Sequence, residues 1–272
     1  MKIQYMSDLH LEFKENAHWL KEHPIPVTGD ILVLAGDTIY LGDDSMLRHP
    51  FWDWASESYR QVIVCLGNHE FYKYYDLSTL KEGMIGEIRH NVHWYYNVSV
   101  KVDDIDFIVS TLWAYIPVQD AFQTERCVSD FHRIMYNGHI LTAIDFNEEH
   151  ERCLNFIKDC VLHSTAKKKI VVTHHVPSFE LSSPDFMGSP INGAFTVELG
   201  NYIAYSDIDY WIYGHSHRNI DGVIGNTKCL SNQLGYTFHG ENTDFEPSKY
   251  IEVQSPIDFP CQTNLQRNSA TE

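Results

Sequence analysis

The side chains that could do chemistry in this sequence gather in five short segments, each of which follows an apolar run. The segments are Ser7-Asp8-Leu9-His10, Gly36-Asp37, Gly67-Asn68-His69-Glu70, Thr173-His174-His175 and Gly214-His215-Ser216-His217. Their carboxylate, carboxamide and imidazole groups suit divalent metals such as manganese, iron, zinc and nickel. Because the set is rich enough to hold two ions side by side, it predicts hydrolysis of phosphate esters, which is typical chemistry of paired metals.

Asp37 is the central candidate of this set, because a carboxylate can bridge two neighbouring ions. No cysteine belongs to the set, which disfavours a structural zinc site. A lone Asp-x-His is more often a surface turn, but the convergence of all five segments favours a dinuclear metal centre. The candidate ligands are Asp8, His10, Asp37, Asn68, His174, His215 and His217. We expect the glycine before several of them to let the backbone approach an ion.

The elements that must position these residues can be read from the apolar pattern. Strands are expected over residues 2–6, 31–35, 62–66, 105–112, 170–172, 210–213 and 249–254, and helices over 44–59, 77–90 and 148–162. Continuous apolarity in most of the strands indicates burial on both faces, between layers of helices. Glycines after Arg218 indicate hairpins. This alternation predicts an α/β fold whose active site lies at the strand ends.

Composition and charge narrow the class of protein. With no repeat or linker, we expect one domain over residues 1–255 and an extended C-terminal tail over 256–272. The net charge of −17 makes nucleic acid an unfavourable partner and a small phosphorylated substrate a better one. No run is long and apolar enough for a membrane helix. The absence of a signal segment and the scattered cysteines predict a cytoplasmic protein, while the oligomeric state stays open.

The five segments together resemble the calcineurin-like metallophosphoesterase superfamily. Its pattern runs DxH, GD, GNH followed by Asp or Glu, a later His, and GHxH, and all five blocks stand in that order between residues 8 and 217. The neighbouring runs SDLHLEF (7–13), LGNHEFY (66–72), STLW (110–113) and THHVPS (173–178) resemble a bacterial and phage branch of uncharacterised members. The resemblance implies a four-layer α/β/β/α sandwich with two mixed sheets.

The resemblance also assigns roles. It implies a first metal site of Asp8, His10, Asp37 and His217, and a second of Asp37, Asn68, His174 and His215. Asp37 would bridge the two ions. His69 matches the histidine that lies beside the metals without binding them, and we expect it to donate a proton to the leaving group. Catalysis is therefore assigned to His69 and Asp37, and the cofactors to two divalent ions (Mn, Fe, Zn or Ni).

The predicted function is hydrolysis of a phosphomonoester or small phosphodiester by in-line attack of a metal-bridging hydroxide. A phosphodiesterase acting on cyclic nucleotides or nucleotide pyrophosphates is the alternative. A nuclease and a non-catalytic scaffold rank lower, since the charge disfavours the first and the complete ligand set disfavours the second. The Asp-Arg pair of protein Ser/Thr phosphatases is missing after Asp37.

Substrate contacts are expected from His175, Arg133 and Asn68. His175 could instead orient a neighbouring residue, and Arg133 could meet phosphate. We expect residues 111–136 and the loop after His175 to determine which ester is hydrolysed.

Overall fold

The structure, a computed structural model, describes residues 1–253 and contains two six-stranded sheets. The first sheet has the strand order β14-β1-β2-β3-β5-β4, and the second has the order β12-β13-β11-β10-β7-β6. In each sheet four neighbouring strands are parallel and the strand at each edge is antiparallel. Both sheets are therefore mixed.

The strands are short and are numbered here in chain order. In the first sheet they are β1 (Lys2–Met6), β2 (Ile31–Ala35), β3 (Gln61–Cys65), β4 (Met84–Arg89), β5 (Val92–Tyr96) and β14 (Tyr250–Glu252). In the second they are β6 (Val98–Val102), β7 (Ile105–Val109), β10 (Lys168–Val172), β11 (Tyr210–Tyr213), β12 (Gly222–Ile224) and β13 (Thr227–Ser231). A small ribbon pairs β8 (Met135–Tyr136) with β9 (His139–Ile140).

Helices cover the outer faces of both sheets. They are α1 (Lys14–Glu22), α2 (Asp44–Leu47), α3 (Pro50–Ser58), α4 (Ala121–Cys127), α5 (Asp130–Arg133), α6 (Ala143–His163) and α7 (Gly200–Tyr205). Trp52 of α3 packs with Leu32 and Leu34 on the outer face of the first sheet. On the outer face of the second sheet, Ile157 of α6 packs in one cluster with Val171.

A separate core lies between the two sheets. It joins Ile3 and Val33 of the first sheet to Phe107 and Val172 of the second. Alternate residues of β2 thus face the inner and the outer cluster, which explains why its sequence is apolar without interruption. The predicted α/β/β/α sandwich with two mixed sheets is confirmed.

The helix predicted over residues 77–90 is wrong. A short 3₁₀ turn covers Leu77–Thr79, and strand β4 follows it and pairs with β5. Gly86 lies directly against the ring of Trp94 on β5, where any Cβ would collide. Cross-strand packing therefore decides this segment, although its spacing of apolar residues fits a helix.

Two other predicted helices are present, but their ends differ from the predicted ones. The segment 44–59 splits into α2 and α3 because Pro50 cannot continue a helix but fits the first turn of a new one, with His49 as its N-cap. Helix α6 begins five residues before the predicted 148, where Thr142 and Asp145 form a capping box.

The late part of the chain forms the expected hairpin, since β12 and β13 pair antiparallel. No helix within residues 1–253 combines the length and apolarity that crossing a bilayer requires. The single domain over residues 1–255 stays a prediction, and the tail predicted over 256–272 lies outside the described residues.

Candidate metal centre

The candidate ligands lie in the loops that follow five strands: β1, β2 and β3 of the first sheet, and β10 and β11 of the second. The backbone of five ligands is left-handed, an unusual state for residues other than glycine. These are Asp8 (φ 55°), His10 (46°), Asp37 (55°), His215 (76°) and His217 (50°). Strain of this kind costs about 1–2 kcal/mol per residue and marks functional sites, where the surrounding fold must enforce it.

Glu70 enforces the loop that carries Asp37. Its carboxylate accepts hydrogen bonds from the backbone N–H groups of Asp37 (3.0 Å), Thr38 (2.7 Å), Ile39 (3.3 Å) and Gly67 (2.7 Å). Burial, followed by the charge of Asp37, raises the pKa of Glu70 to about 7. The acidic position of the GNHE segment thus ties two ligand loops together.

The first group of ligands brings β1 and β11 together. The His217 Nε2 atom lies 3.3 Å from Asp8 Oδ1 and 3.1 Å from His10 Nε2. The three side chains offer ligand atoms that all lie within 4.8 Å of one another, as a single ion requires. All three are buried or nearly so.

The second group brings β2, β3, β10 and β11 together. His174 Nε2 lies 3.2 Å from Asp37 Oδ1, 3.0 Å from Asn68 Oδ1 and 3.1 Å from His215 Nδ1. The other carboxylate oxygen of Asp37 lies 3.7 Å from His10 Nε2 in the first group. The Asp37 carboxylate therefore stands between the two groups, with one oxygen toward each.

Hydrogen bonds at the back of each imidazole decide which nitrogen faces inward. In the second group, His174 Nδ1 donates to the Ala35 carbonyl (2.8 Å) and His215 Nε2 donates to the Ala194 carbonyl (3.2 Å). The neutral rings then carry lone pairs on the two nitrogens that face each other at 3.1 Å. Facing lone pairs repel each other unless a cation lies between them.

The first group repeats this arrangement with carboxylates behind the rings. His10 Nδ1 donates to Glu12 (3.0 Å), and His217 Nδ1 donates to Glu241 (2.6 Å). Their Nε2 atoms face each other at 3.1 Å. Acceptors that fix the tautomer of an imidazole in this way are the usual support of metal-binding histidines.

The pKa values show that a positive charge is favoured at the second group. Burial opposes the charged form of His174, but the Asp37 carboxylate outweighs burial and raises the pKa of His174 to about 9. Burial, followed by the neighbouring imidazoles, holds the pKa of His215 well below its usual value. A positive charge beside Asp37 is therefore favourable at the second group.

A positive charge is also favoured at the first group. Burial disfavours charge on His217, but hydrogen bonds to Asp8 and Glu241 raise its pKa to about 10, while burial lowers the pKa of His10. Nitrogens 3.1 Å apart can both reach one ion at the usual bond length of about 2.0–2.1 Å. The donor set therefore fits divalent metal at both groups.

His69 lies at the edge of the groups and lines the open cleft. Its Nδ1 donates to Glu12 (2.8 Å), and its Nε2 lies 3.1 Å from the Tyr236 hydroxyl and 4.0 Å from Asp37 Oδ2. Burial disfavours a charged ring here, but Asp37 and Glu12 outweigh it and raise the pKa of His69. A protonated His69 beside the cleft can donate a proton to a leaving group.

Asp130 supports Asn68 from the side. The Asn68 Nδ2 group donates to Asp130 Oδ1 (2.8 Å), which also accepts the Tyr72 hydroxyl (2.8 Å). Burial raises the pKa of Asp130. Because the carboxamide N–H is held by Asp130, the Asn68 oxygen points toward His174. The substrate contact predicted for Asn68 stays a prediction.

The other two predicted substrate contacts lie away from the cleft lining. His175 is fully buried, with its ring 4.2 Å from the His215 ring and 5.2 Å from the Trp113 ring. This position favours the alternative role of His175, which is to pack behind a ligand. Arg133 is exposed and its guanidinium lies over the ring of Tyr72, which does line the cleft.

The glycines before the ligands leave room for ligand side chains. A Cβ on Gly67 would lie 2.3 Å from Asp37 Oδ1, and one on Gly36 would lie 2.3 Å from His174 Nδ1. Gly36 also has a left-handed φ of 93°, so it makes a sharp turn that other residues rarely adopt. The approach of the backbone to an ion stays a prediction.

The cleft beside the two groups has a volume of about 400 Å³. One wall includes Tyr72, Val128 and Asp130, and the other includes Phe186 and Phe195. The cleft is therefore lined by both stretches that were expected to determine substrate specificity, which are residues 111–136 and the loop after His175.

Sequence reasoning missed the supporting residues Glu12, Asp130 and Glu241, and it left open whether Tyr236 lines a pocket or packs in the structure. Glu12 stands in the run SDLHLEF, where an acidic residue two positions after a ligand is a usable signal. Asp130 and Glu241 lie far along the chain from the ligands they support, and nothing in the local sequence points to them.

Fold and site define a metal-dependent hydrolase of phosphoric esters. The sequence model of the calcineurin-like phosphoesterases matches residues 1–219, so the chain belongs to this metal-dependent family. The residues matched run from β1 to just past the GHSH segment, and so include every candidate ligand.

Two similar proteins extend the comparison over nearly the whole chain. Uncharacterized protein L509 of Acanthamoeba polyphaga mimivirus is 30% identical over 278 residues, which cover 92% of this chain and 96% of that protein. The crystal structure of phosphopantetheinyl hydrolase (PptH) from Mycobacterium tuberculosis has a TM-score of 0.66 at 14% identity, covering 94% of this chain and 96% of that one. The second likeness shows that the fold is shared.

Proposed function

We propose that this protein is a two-metal phosphoesterase that hydrolyses a phosphomonoester or a small phosphodiester by in-line displacement. The observation that carries the proposal is the pair of facing imidazoles in each ligand group, with Asp37 between the groups. One ion would be held by Asp8, His10, Asp37 and His217, and the other by Asp37, Asn68, His174 and His215. His69 and Asp37 are the proposed catalytic residues.

When bound, the two ions supply an acidified water as nucleophile near neutral pH and neutralise charge on the phosphoryl oxygens. The chain itself supplies the orientation and the proton. Glu12 holds His69 through Nδ1, so that the proton on Nε2 is directed toward the cleft. Tyr236, whose hydroxyl contacts the same Nε2, restricts the ring from the other side.

The competing functions differ in what they require of the site. A scaffold without activity does not need a raised pKa at a cleft-lining histidine, and the net charge of −17 is unfavourable for a nuclease. Cyclic nucleotides and nucleotide pyrophosphates stay within the proposal as alternative substrates. A cytoplasmic location stays a prediction.

The test is a screen of the metal-free chain reconstituted with manganese, iron, zinc or nickel. The substrates are p-nitrophenyl phosphate, bis-p-nitrophenyl phosphate, cyclic nucleotides and nucleoside pyrophosphates, and bound metal is counted by mass spectrometry. We expect two ions per chain and activity with at least one ester, both lost in Asp37→Ala. Asp44→Ala, which removes an exposed carboxylate on α2, is the matched control. Two bound ions without hydrolysis of any ester would contradict the enzymatic part of the proposal.

A further inference from the structure

A small recess opens from the wall of the metal cleft. This side recess has a volume of about 100 Å³ and is lined by Phe186, Ser189, Ile191, Asn192, Phe195 and Ser216. Four of these residues, Phe186, Ile191, Phe195 and Ser216, also line the cleft. The side recess therefore adjoins the cleft along these four residues.

Asn192 brings an unused carboxamide to the side recess. Its Oδ1 atom is buried and accepts no hydrogen bond, and its Nδ2 atom donates none within residues 1–253. The backbone of Asn192 is fully engaged, since its N–H donates to Ser189 and its carbonyl accepts from Phe195 and Thr196. This oxygen can therefore accept a hydrogen bond from a group that enters the side recess.

The walls of the side recess are aromatic and held in place. The ring of Phe195 stacks on the metal-ligand candidate His215, with centroids 4.8 Å apart and planes at 23°. The ring of Phe186 lies 5.5 Å from the guanidinium of Arg218. Aromatic faces beside a carboxamide that can both donate and accept suit a flat heterocycle, because the faces stack and the carboxamide pairs with the ring edge.

Arg218 adds a positive charge at the junction. Among residues 1–253, no other lysine or arginine lines the cleft. Its guanidinium donates to the carbonyl of His217 (2.9 Å), and within residues 1–253 no carboxylate lies within 4.0 Å of it, although the charge of Glu241 acts on it at longer range. An arginine that forms no close ion pair beside a phosphoester site is suited to a phosphate oxygen.

We propose that the side recess binds the base of a nucleotide whose phosphate lies at the metal centre. Phe186 and Phe195 contact the base, Asn192 pairs with its edge, and Arg218 contacts a phosphate oxygen. This inference rests on the proposed function and narrows its substrate class to nucleotide esters. Adenine is the first base to test, since its N6 donor beside its N7 acceptor matches a carboxamide.

The first experiment measures kcat/KM of the metal-loaded chain on substrates that differ only in the base. AMP is compared with ribose 5-phosphate, and the p-nitrophenyl ester of AMP with the p-nitrophenyl ester of ribose 5-phosphate. We expect each nucleotide to exceed its partner by about 10- to 100-fold, the range of stacking on aromatic side chains. Equal values within both pairs would overturn the inference.

Single substitutions then test the roles of Asn192 and Arg218 separately. Asn192→Ala should lower the ratio of AMP to ribose 5-phosphate by about tenfold, the effect of one lost hydrogen bond. Arg218→Gln should raise KM for all phosphate substrates. The matched controls are Asn155→Ala on the exposed face of α6 and Arg48→Gln, also exposed, and both should leave the ratio and KM unchanged.

A binding measurement keeps the inference independent of turnover. AMP and ribose 5-phosphate are titrated into the wild-type chain and Asn192→Ala by calorimetry. Tighter binding of AMP that Asn192→Ala removes would support the side recess even if no ester were hydrolysed, in which case only the proposed function fails. Hydrolysis of p-nitrophenyl phosphate together with equal binding of both ligands would leave the proposed function intact and refute the side recess.

Discussion

Replacing Glu12 by glutamine would remove one negative charge that two imidazoles share. The Glu12 side chain is 2% exposed, and its Oε1 atom accepts both the His10 Nδ1–H (3.0 Å) and the His69 Nδ1–H (2.8 Å). The glutamine oxygen could accept the same two bonds, so the shape of the site is kept. Only the charge that strengthens these bonds is lost.

The size of the effect follows from the two bonds. A hydrogen bond to a charged group contributes about 1.5–3 kcal/mol and a neutral one about 0.5–1.5 kcal/mol, so Glu12→Gln should lose about 1 kcal/mol per bond. Two bonds give about 2 kcal/mol, or a factor of about 30. Part of this loss of free energy should weaken metal binding at His10, and part should disfavour the protonated form of His69 that the reaction uses.

The two parts can be measured separately. Metal affinity is titrated directly, and kcat is then measured at saturating metal on phenyl phosphate and on p-nitrophenyl phosphate. A weakened proton donor should slow phenyl phosphate more, because its leaving group needs the proton more.

Glu15→Gln, an exposed change three residues along, serves as the control. A loss of metal affinity with kcat unchanged on both esters would show that Glu12 acts only on metal binding, and no change in either measurement would refute its positioning role.

Three further results are expected. Asp130→Ala should free the Asn68 carboxamide and weaken metal binding by about 10- to 100-fold, whereas Asp130→Asn, which keeps an acceptor, should lose less when both are titrated with manganese. Gly67→Ala should abolish metal content measured by mass spectrometry, since its Cβ would collide with Asp37, while Gly42→Ala, whose Cβ would make an ordinary contact, should retain it. The pKa values of His174 and His217 are raised to about 9 and about 10. Protonation of these two rings therefore stabilises the metal-free fold below about pH 6.5, and this contribution disappears as the pH rises through 9 to 10. The melting temperature without metal should fall over that pH range, and added metal should restore it.

The sequence predicted the parts of this molecule that depend on local pattern. The strand ending at Ala35 was identifiable because its residues are buried on both faces and are apolar throughout. The strands ending at Met6, Val172 and Tyr213 were identifiable because most of their residues are buried and their last residues are apolar or aromatic. The seven residues assigned to metal binding were identifiable because polar groups follow those strands at fixed spacing. The structure brings these seven side chains together, as two groups that share Asp37.

The predictions that failed concern features that depend on contacts between residues far apart in the sequence. The strand β4 has helix-like spacing, and only its pairing with β5 reveals it. Asp130 lies 62 residues from Asn68, and Glu241 lies 24 residues from His217, so the carboxylates that orient these ligands leave no local signal. His175 follows a ligand directly but lies buried, because the loop turns it toward Trp113 rather than the cleft.

Each ligand group takes side chains from both sheets. His10 of the first sheet meets His217 of the second across 207 residues of chain, and Asn68 meets His174 across 106. A bound ion would thus act as a cross-link that closes a very long loop, where the entropy removed from the unfolded chain is large. Residues 1–70 alone cannot complete either group. Loading with metal and docking of the two sheets would therefore be coupled steps of assembly, and an ion in the first group would need the chain to be made as far as His217.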